Sequence, residues 1–335
     1  MKKTIRWGIL GGGRIAQKFA ADLEWVKDAD LRAIASLSQK NTEQFLKINP
    51  SATLYTDYES LVTDPEIDII YVATPHGLHY EHTMLCLQHN KAVLCEKAFA
   101  LNAAQAEKMI TEARSRKLFL MEALWSKFIP PYQKMIEMIK NGDLGEIKNV
   151  LIHFGFIPQP PIADRIFNPA LGGGTLLDIG IYNIFYAVSA LGLPDHIEAF
   201  MSPAASKVDE QCAVVFRYNN GAMAQLFSSY ATHLTTEAHI NGNKGRLRLS
   251  HRFYTPDTKM EFYPGRSDEP TTMIHTAPTS GFGYHYEASH VGDCLRKGLT
   301  ESPVMTHSNT LELMQIMDTV RKKAGIIFPA DEKRK

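Results

Sequence analysis

The stretch Ile5-Arg6-Trp7-Gly8-Ile9-Leu10-Gly11-Gly12-Gly13-Arg14-Ile15-Ala16 decides the fold. A short apolar run that breaks into glycines reads as a buried strand, and Arg14 to about Leu23 has helical periodicity. The glycines fit G-x-G-x-x-A between a strand and a helix. In that setting Gly11 permits the tight turn and Gly13 lets backbone approach a pyrophosphate. Ala16 allows close packing of helix on strand. The helix N-terminus, with Arg14 and Ile15 in its first turn, faces the phosphates. Glycines often only make turns, so the motif gains force from the pattern of the next hundred residues.

From Leu31 to Met121 the chain alternates between strand and helix. Strands are expected at 31–36, 53–55, 67–73, 92–95 and 119–121, and helices at 41–48, from Tyr58 with Asp57 as N-cap, at 79–90, and from Asn102 as its own cap. The run Ile67 to Ala73 is almost purely apolar, as parallel strands covered on both faces are. This predicts an α/β fold, with an N-terminal doubly wound parallel sheet of Rossmann type. After about Leu124 the texture changes. Period-2 segments appear at 149–157, 197–201, 212–218, 222–229, 236–241, 245–249 and 259–263, with hairpin signals at Asn219-Asn220-Gly221 and Asn241-Gly242-Asn243-Lys244-Gly245. Helices are expected near 176–192, 285–297 and 307–325. The expected organisation is a dinucleotide domain over 1–124. A C-terminal α+β domain over 125–335, with a large, open, mostly antiparallel sheet, follows it.

The chain has 335 residues, with 36 basic and 36 acidic side chains, so its formal charge is zero. There is no electrostatic case for nucleic acid or an acidic membrane as partner. Cys86, Cys95, Cys212 and Cys294 form no CxxC pair, which points to free thiols in a reducing compartment. The apolar run after Met1-Lys2-Lys3 is too short for a signal peptide, and no stretch reads as a bilayer span. A cytoplasmic enzyme is expected. The 13 histidines lack paired metal-ligand spacing, so no zinc site is expected.

Cofactor choice is read at the end of the second strand. An acid there would bind the ribose 2′-hydroxyl of NAD. Instead the stretch is Ala35-Ser36-Leu37-Ser38-Gln39-Lys40, with no acid before Glu43. Ser36, Ser38 and Lys40 suit a 2′-phosphate, and Arg14 can stack on the adenine or reach that phosphate. NADP is therefore favoured, with NAD possible; the competing reading is a solvated loop. Ligands in such sheets sit at the carboxyl ends of strands. One strand runs into Thr74-Pro75-His76-Gly77-Leu78-His79, another into Glu96-Lys97. A charged pair immediately after an apolar strand is unusual for a structural turn. His79 is also readable as a first-turn helix residue.

Together these residues resemble the glucose–fructose oxidoreductase and inositol dehydrogenase family. The resemblance rests on Gly11 to Ala16, Ala73-Thr74-Pro75, His79, Glu96-Lys97 and Gly173-Gly174-Thr175-Leu176-Leu177-Asp178-Ile179-Gly180-Ile181-Tyr182. It implies that Lys97 is catalytic, that Glu96 contacts the cofactor, and that the open face of the C-terminal sheet makes a homodimer. Ala98 stands where the family pattern has proline, a departure that removes no chemical group but is expected to shift the loop slightly. Many members that act on sugars and inositols carry Asp-x-x-x-His. Tyrosine at 182 resembles the branch of dimeric dihydrodiol dehydrogenase and NADP-dependent D-xylose dehydrogenase, as do Met121 to Phe128 and Arg165.

Hydride exchange with a carbinol carbon needs a proton partner on the oxygen. Tyrosine is a poor base near its ordinary pKa of about 10, and a nearby ammonium stabilises the phenolate. Lys97 and Tyr182 supply that combination, although from different domains. Asp178, four residues before Tyr182, shares its helix face, looks toward the nicotinamide, and orients Lys97 or bonds a substrate hydroxyl. Taken singly, Tyr182 reads as a core aromatic; the surrounding residues reverse that reading. Trp125 and Phe154 are candidate pocket walls, although large aromatics are more often core. Arg165 binds a hydroxyl, closes a loop, or is simply exposed. Tyr284, Tyr286 and His290 are candidates to border the cleft. The expected reaction is NAD(P)-dependent oxidation of a diol or aldose. The alternatives are a sugar or keto-sugar reductase, a dinucleotide-sensing regulator, and an inactive structural subunit.

Overall fold

The computed structural model describes residues 3–49, 51–269, 272–274 and 280–332. In chain order the first part holds β1 (Ile5–Leu10), α1 (Arg14–Leu23), β2 (Ala29–Ala35), α2 (Gln39–Ile48), β3 (Thr53–Tyr55), α3 (Tyr58–Thr63), β4 (Ile69–Val72), α4 (His79–Gln88), β5 (Ala92–Glu96), α5 (Ala103–Arg116) and β6 (Leu120–Ala123). The second part begins with α6 (Pro130–Lys140), β7 (Ile147–Gly155) and α7 (Ile181–Leu191). It continues with β8 (His196–Pro203), β9 (Asp209–Arg217), β10 (Met223–Ser229), β11 (Glu237–Gly242), β12 (Gly245–Ser250), β13 (Lys259–Pro264) and β14 (Thr272–Ile274). The helices α8 (Tyr284–Arg296), α9 (His307–Ala324) and α10 (Pro329–Glu332) close the chain.

The first sheet is parallel throughout and runs β3-β2-β1-β4-β5-β6. This is the doubly wound order whose direction reverses between β1 and β4, and ligands bind at that switch point. Every residue of β4 and β5 is buried, so both strands are purely core. The expected caps are present: Asp57 accepts from the Ser60 amide at 2.7 Å and Asn102 from the Gln105 amide at 3.0 Å. Each satisfies a helix amide that has no intrahelical partner.

The second sheet has eight strands in the order β14-β13-β12-β11-β7-β10-β9-β8. Its pairs are antiparallel except β10 on β7. The helix α7 packs on β7 and β10 and covers one face. On β10 the residues alternate between buried and less buried, with Ala224 and Leu226 in the core. Phe200 and Met223 are exposed on β8 and β10.

The chain divides into two compact units, one of Met1–Trp125 and Ser280–Met314, the other of Ser126–Thr279 and Gln315–Lys335. Sequence reading kept everything after 124 in one domain; segment 280–314 instead joins the first unit. One tie is a buried acid distant in sequence: Asp22 at the end of α1 accepts from the amides of Phe282 at 2.7 Å and Tyr284 at 2.6 Å. The bilayer reading also needs correcting. The helical run Pro169–Leu191 is long and apolar enough to cross a membrane, but 72% of its most apolar window is buried inside the protein. A helix buried all round carries the same composition as a span.

Candidate active site

The glycine turn is set by two close approaches. Gly11 has φ +106°, and a Cβ there would lie 2.9 Å from the Ala73 carbonyl oxygen. A Cβ on Gly12 would lie 2.6 Å from Ser36 Oγ, because this turn packs on the end of β2. Gly13 differs, since a Cβ there would meet nothing within 4 Å. Sequence reasoning gave the tight turn to Gly11 and the approach to a pyrophosphate to Gly13. The structure gives steric necessity to Gly11 and Gly12 and leaves Gly13 facing open space. Gly13 is also the N-cap of α1, without a side-chain cap and with no acid in the first turn. The α1 amides therefore present an uncompensated positive end, which fits a pyrophosphate. Ala16 is fully buried, Arg14 is exposed, and Ile15 is half-buried.

At the end of β2 both serines are engaged with backbone. Ser36 Oγ lies 3.3 Å from both the amide and the carbonyl of Ser38. Ser38 Oγ caps α2 by accepting from the Asn41 amide at 3.4 Å. The Lys40 side chain lies outside the described residues. No acid stands between Ser36 and Asn41.

The ends of β4 and β5 are tied by buried titratable side chains. His79 is fully buried, with Nδ1 2.8 Å from the Ala98 carbonyl and Nε2 2.7 Å from the Thr74 carbonyl. Burial pushes its pKa down to about 4, against the pull of the two carbonyls. Its position corrects the sequence reading: His79 clamps the two loops to each other, and its ring nitrogens face protein carbonyls. Thr74 Oγ1 pairs with His82 Nδ1 at 3.0 Å. His76 is buried in the short 3-10 turn after Pro75, with its ring edge-on to His79 at 5.6 Å. Glu96 is buried; it accepts from the Tyr71 hydroxyl and, through Oε2, from the Lys97 amide at 3.1 Å. The peptide between Lys97 and Ala98 is cis.

Three buried acids near this end of the sheet were not read from sequence. Glu287 on α8 has both carboxyl oxygens buried without a hydrogen-bond partner among the described residues. Burial, then the neighbouring Glu96 and Asp22, raise its pKa well above the ordinary range. Tyr71 is likewise pushed up by burial and by Glu96 and Glu287. The other two acids are Asp22, described above, and Glu122. Trp125 is buried against Tyr284, with ring centroids 4.6 Å apart. Tyr286 is half-buried, and His290 bonds Ser302 at 2.7 Å.

In the second unit the glycine-rich stretch before α7 winds as a π-helical turn, Leu176–Gly180, and continues into α7. Asp178 lies in that turn and Tyr182 in the first turn of α7; such widened turns recur at functional sites. The expected regular α-helix is thus replaced locally. The start of this turn is held by Asp209, which is buried and accepts from the Leu176 amide at 2.7 Å and Thr175 Oγ1 at 2.8 Å. Burial raises the Asp209 pKa to about 6 despite these bonds.

Asp178 is joined by two groups on one oxygen. Arg165 donates to Oδ2 at 3.1 Å and Tyr230 at 2.6 Å. Arg165 is therefore neither idle nor merely a surface residue. Tyr182 is buried with its ring 4.8 Å from Tyr254 and 6.2 Å from Phe154. Phe154 in turn stacks on Tyr254 at 4.6 Å. Tyr230 and Tyr254 had no signal in the sequence beyond being aromatic. Among the described residues no group of three or more His, Cys, Asp or Glu is placed to hold a metal ion, and all four cysteines are free and buried.

Residues 5–124 match the model of the oxidoreductase family with an NAD-binding Rossmann fold, and residues 132–248 match the GFO/IDH/MocA C-terminal domain. The chain is 34% identical to trans-1,2-dihydrobenzene-1,2-diol dehydrogenase of Homo sapiens, over 98% of this chain and 100% of the relative. Identity with the Bos taurus enzyme of the same name is 33%, over 98% and 99%. Among solved structures, a 3-ketoreductase from Actinomadura kijaniata in complex with NADP superposes with a TM-score of 0.84 at 25% identity, covering 96% of this chain and 98% of its own. An aldose-aldose oxidoreductase from Caulobacter crescentus shares the fold, with a TM-score of 0.85 at 24% identity and the same coverage. The chain belongs to the GFO/IDH/MocA oxidoreductase family, as an NAD(P)-dependent enzyme built on an NAD-binding Rossmann fold.

Proposed function

We propose that this protein is an NADP-preferring dehydrogenase of a trans-dihydrodiol or an aldose such as D-xylose, with carbonyl reduction as the reverse reaction. The observation that carries the reading is full-length similarity to trans-dihydrodiol dehydrogenases at 34% identity, joined to a tyrosine at 182 beside Asp178. The ketoreductase solved with NADP supports the cofactor preference, as does the absence of an acid at the end of β2. Gly11, Gly12, Gly13, Arg14, Ile15, Ser36, Ser38, Lys40, Thr74, Pro75, His76 and Glu96 are the proposed dinucleotide-binding residues.

When bound, the dinucleotide supplies the nicotinamide that accepts or returns the hydride. Tyr182 takes the proton from the carbinol oxygen, and Lys97 supports it with positive charge. Asp178, fixed by Tyr230 and Arg165, accepts from a substrate hydroxyl. Trp125 and Phe154 are the proposed apolar walls. Acid–base help of this kind contributes about 10²–10⁴-fold. The chain is further proposed to act in the cytoplasm as a homodimer through its second sheet, a reading supported by the exposed Phe200 and Met223.

The test is a screen of D-xylose, other aldoses and trans-1,2-dihydrobenzene-1,2-diol with NADP and with NAD, followed at the reduced-nicotinamide absorbance. Turnover of a diol or aldose, faster with NADP, is expected. Cofactor binding without turnover on any of them contradicts the reading and favours a sensor.

A further inference from the structure

Three consecutive residues of the turn after β5 each have a backbone group met by a buried titratable side chain. Glu96 takes the Lys97 amide and His79 meets the Ala98 carbonyl. Glu122, 1% exposed at the end of β6, takes the Phe99 amide on Oε1 at 3.2 Å. The second oxygen of Glu122 is committed as well: Oε2 accepts from Thr310 Oγ1 at 3.0 Å, and Thr310 is itself buried in the first turn of α9.

The same stretch of chain covers the free edge of β6, the last strand of its sheet. The Leu120 amide donates to the Thr300 carbonyl at 3.2 Å, and His307 Nε2 lies 2.9 Å from the Leu120 carbonyl. The Glu301 carboxylate in turn accepts from the His307 amide at 2.6 Å. Segment 300–310 thus satisfies backbone groups that an edge strand would otherwise leave bare. Packing on β6 needs only an apolar side chain at 122. A buried carboxylate is costly unless both oxygens are bonded, and here they are bonded to partners 23 and 188 residues away.

We propose that Glu122 is a positioning residue for Lys97: it ties the first turn of α9 to the 96–99 turn and so fixes where the lysine ammonium sits. The inference rests on Lys97 acting in the reaction.

The experiment uses the full-length protein with NADP and the best substrate of the screen, comparing Glu122→Ala, Glu122→Gln and Thr310→Val. Misplacement of a reacting group by about 1 Å costs on the order of 100-fold. Glu122→Ala is expected to lower kcat by about ten- to a hundredfold while changing the Kd for NADP less than about twofold. It is also expected to speed hydrogen exchange at the Phe99 amide. Glutamine keeps an acceptor for Phe99 and a polar group for Thr310, so Glu122→Gln restores most of the rate. Thr310→Val, which leaves Glu122 in place, lies between the two and keeps the test open if the alanine variant does not fold. Unchanged exchange at Phe99 in both Glu122→Ala and Thr310→Val overturns the tie, whatever Lys97 does. Full kcat in these variants, or Glu122→Gln no better than alanine, overturns the positioning role. If instead Lys97→Met keeps its rate, the reading of Lys97 fails and the Phe99 exchange result stands apart from it.

Discussion

Tyr230 Oη donates to Asp178 Oδ2 at 2.6 Å, and this is the shortest polar contact described at Asp178. The two residues are 52 apart in sequence. The Tyr230 ring is boxed edge-on by Phe156 at 5.2 Å and Phe167 at 5.8 Å, so its hydroxyl has a fixed direction. Burial and the Asp178 carboxylate together raise the phenol's pKa, which keeps Tyr230 protonated as a donor. Asp178 is therefore held as an acceptor in one orientation.

Tyr230→Phe keeps the ring and its packing and deletes only the hydroxyl. A bond to a charged group is worth about 1.5–3 kcal/mol. kcat/KM for the diol or aldose should fall by about tenfold or more, while NADP affinity stays near wild type. Steady-state kinetics with separate cofactor titration checks this; an unchanged kcat/KM contradicts a role for the pair.

The glycine turn makes a prediction with two opposite signatures. Gly11→Ala places a Cβ against the Ala73 backbone at a positive φ, so it should destabilise the chain itself by about 1–3 kcal/mol. Gly13→Ala meets no protein atom within 4 Å and should leave the melting temperature of the free chain nearly unchanged. Its effect should appear as weaker NADP binding. Thermal melts with and without NADP separate the two, and a Gly13→Ala variant that binds NADP normally would show that the pyrophosphate lies elsewhere.

Asp209 sets a pH-dependent contribution to stability. Its folded pKa of about 6 lies above its ordinary value, so the folded chain holds a proton that the unfolded chain releases earlier. The contribution is fully present below about pH 4 and is lost as pH rises through about 6, up to about 3 kcal/mol. Asp209→Asn removes this titration. The wild type should therefore lose stability relative to Asp209→Asn between pH 4 and 7 in denaturant melts. A difference that is flat across that range would contradict the buried, protonated state.

Much of the fold was legible because its signals are local. The runs at 67–73 and 92–95 are strands of the parallel sheet, and strands covered on both faces are mostly apolar. Asp57 and Asn102 announce helix starts because capping is chemistry between neighbours in the chain. The candidate site residues come from motifs, at Gly11 to Ala16, Glu96-Lys97 and Asp178 to Tyr182, and their roles are proposals. Glu122, Tyr230, Asp209 and Glu287 were not legible. Each is an ordinary buried position until groups from far along the chain pack beside it. The π-helical turn was missed because residue spacing at 176–182 reads equally well as regular helix. The return of 280–314 to the first unit draws on residues such as Asp22, which reads by itself as the polar end of α1.

The central claim is that Lys97 and Tyr182 carry the proton chemistry of a hydride transfer. The direct measurement is single-turnover reduction of NADP by D-xylose or the dihydrodiol in Lys97→Met and Tyr182→Phe, beside NADP affinity for each variant. The account predicts that both lose about 100-fold or more in rate with NADP affinity nearly intact. Either variant reducing NADP at the wild-type rate would contradict it.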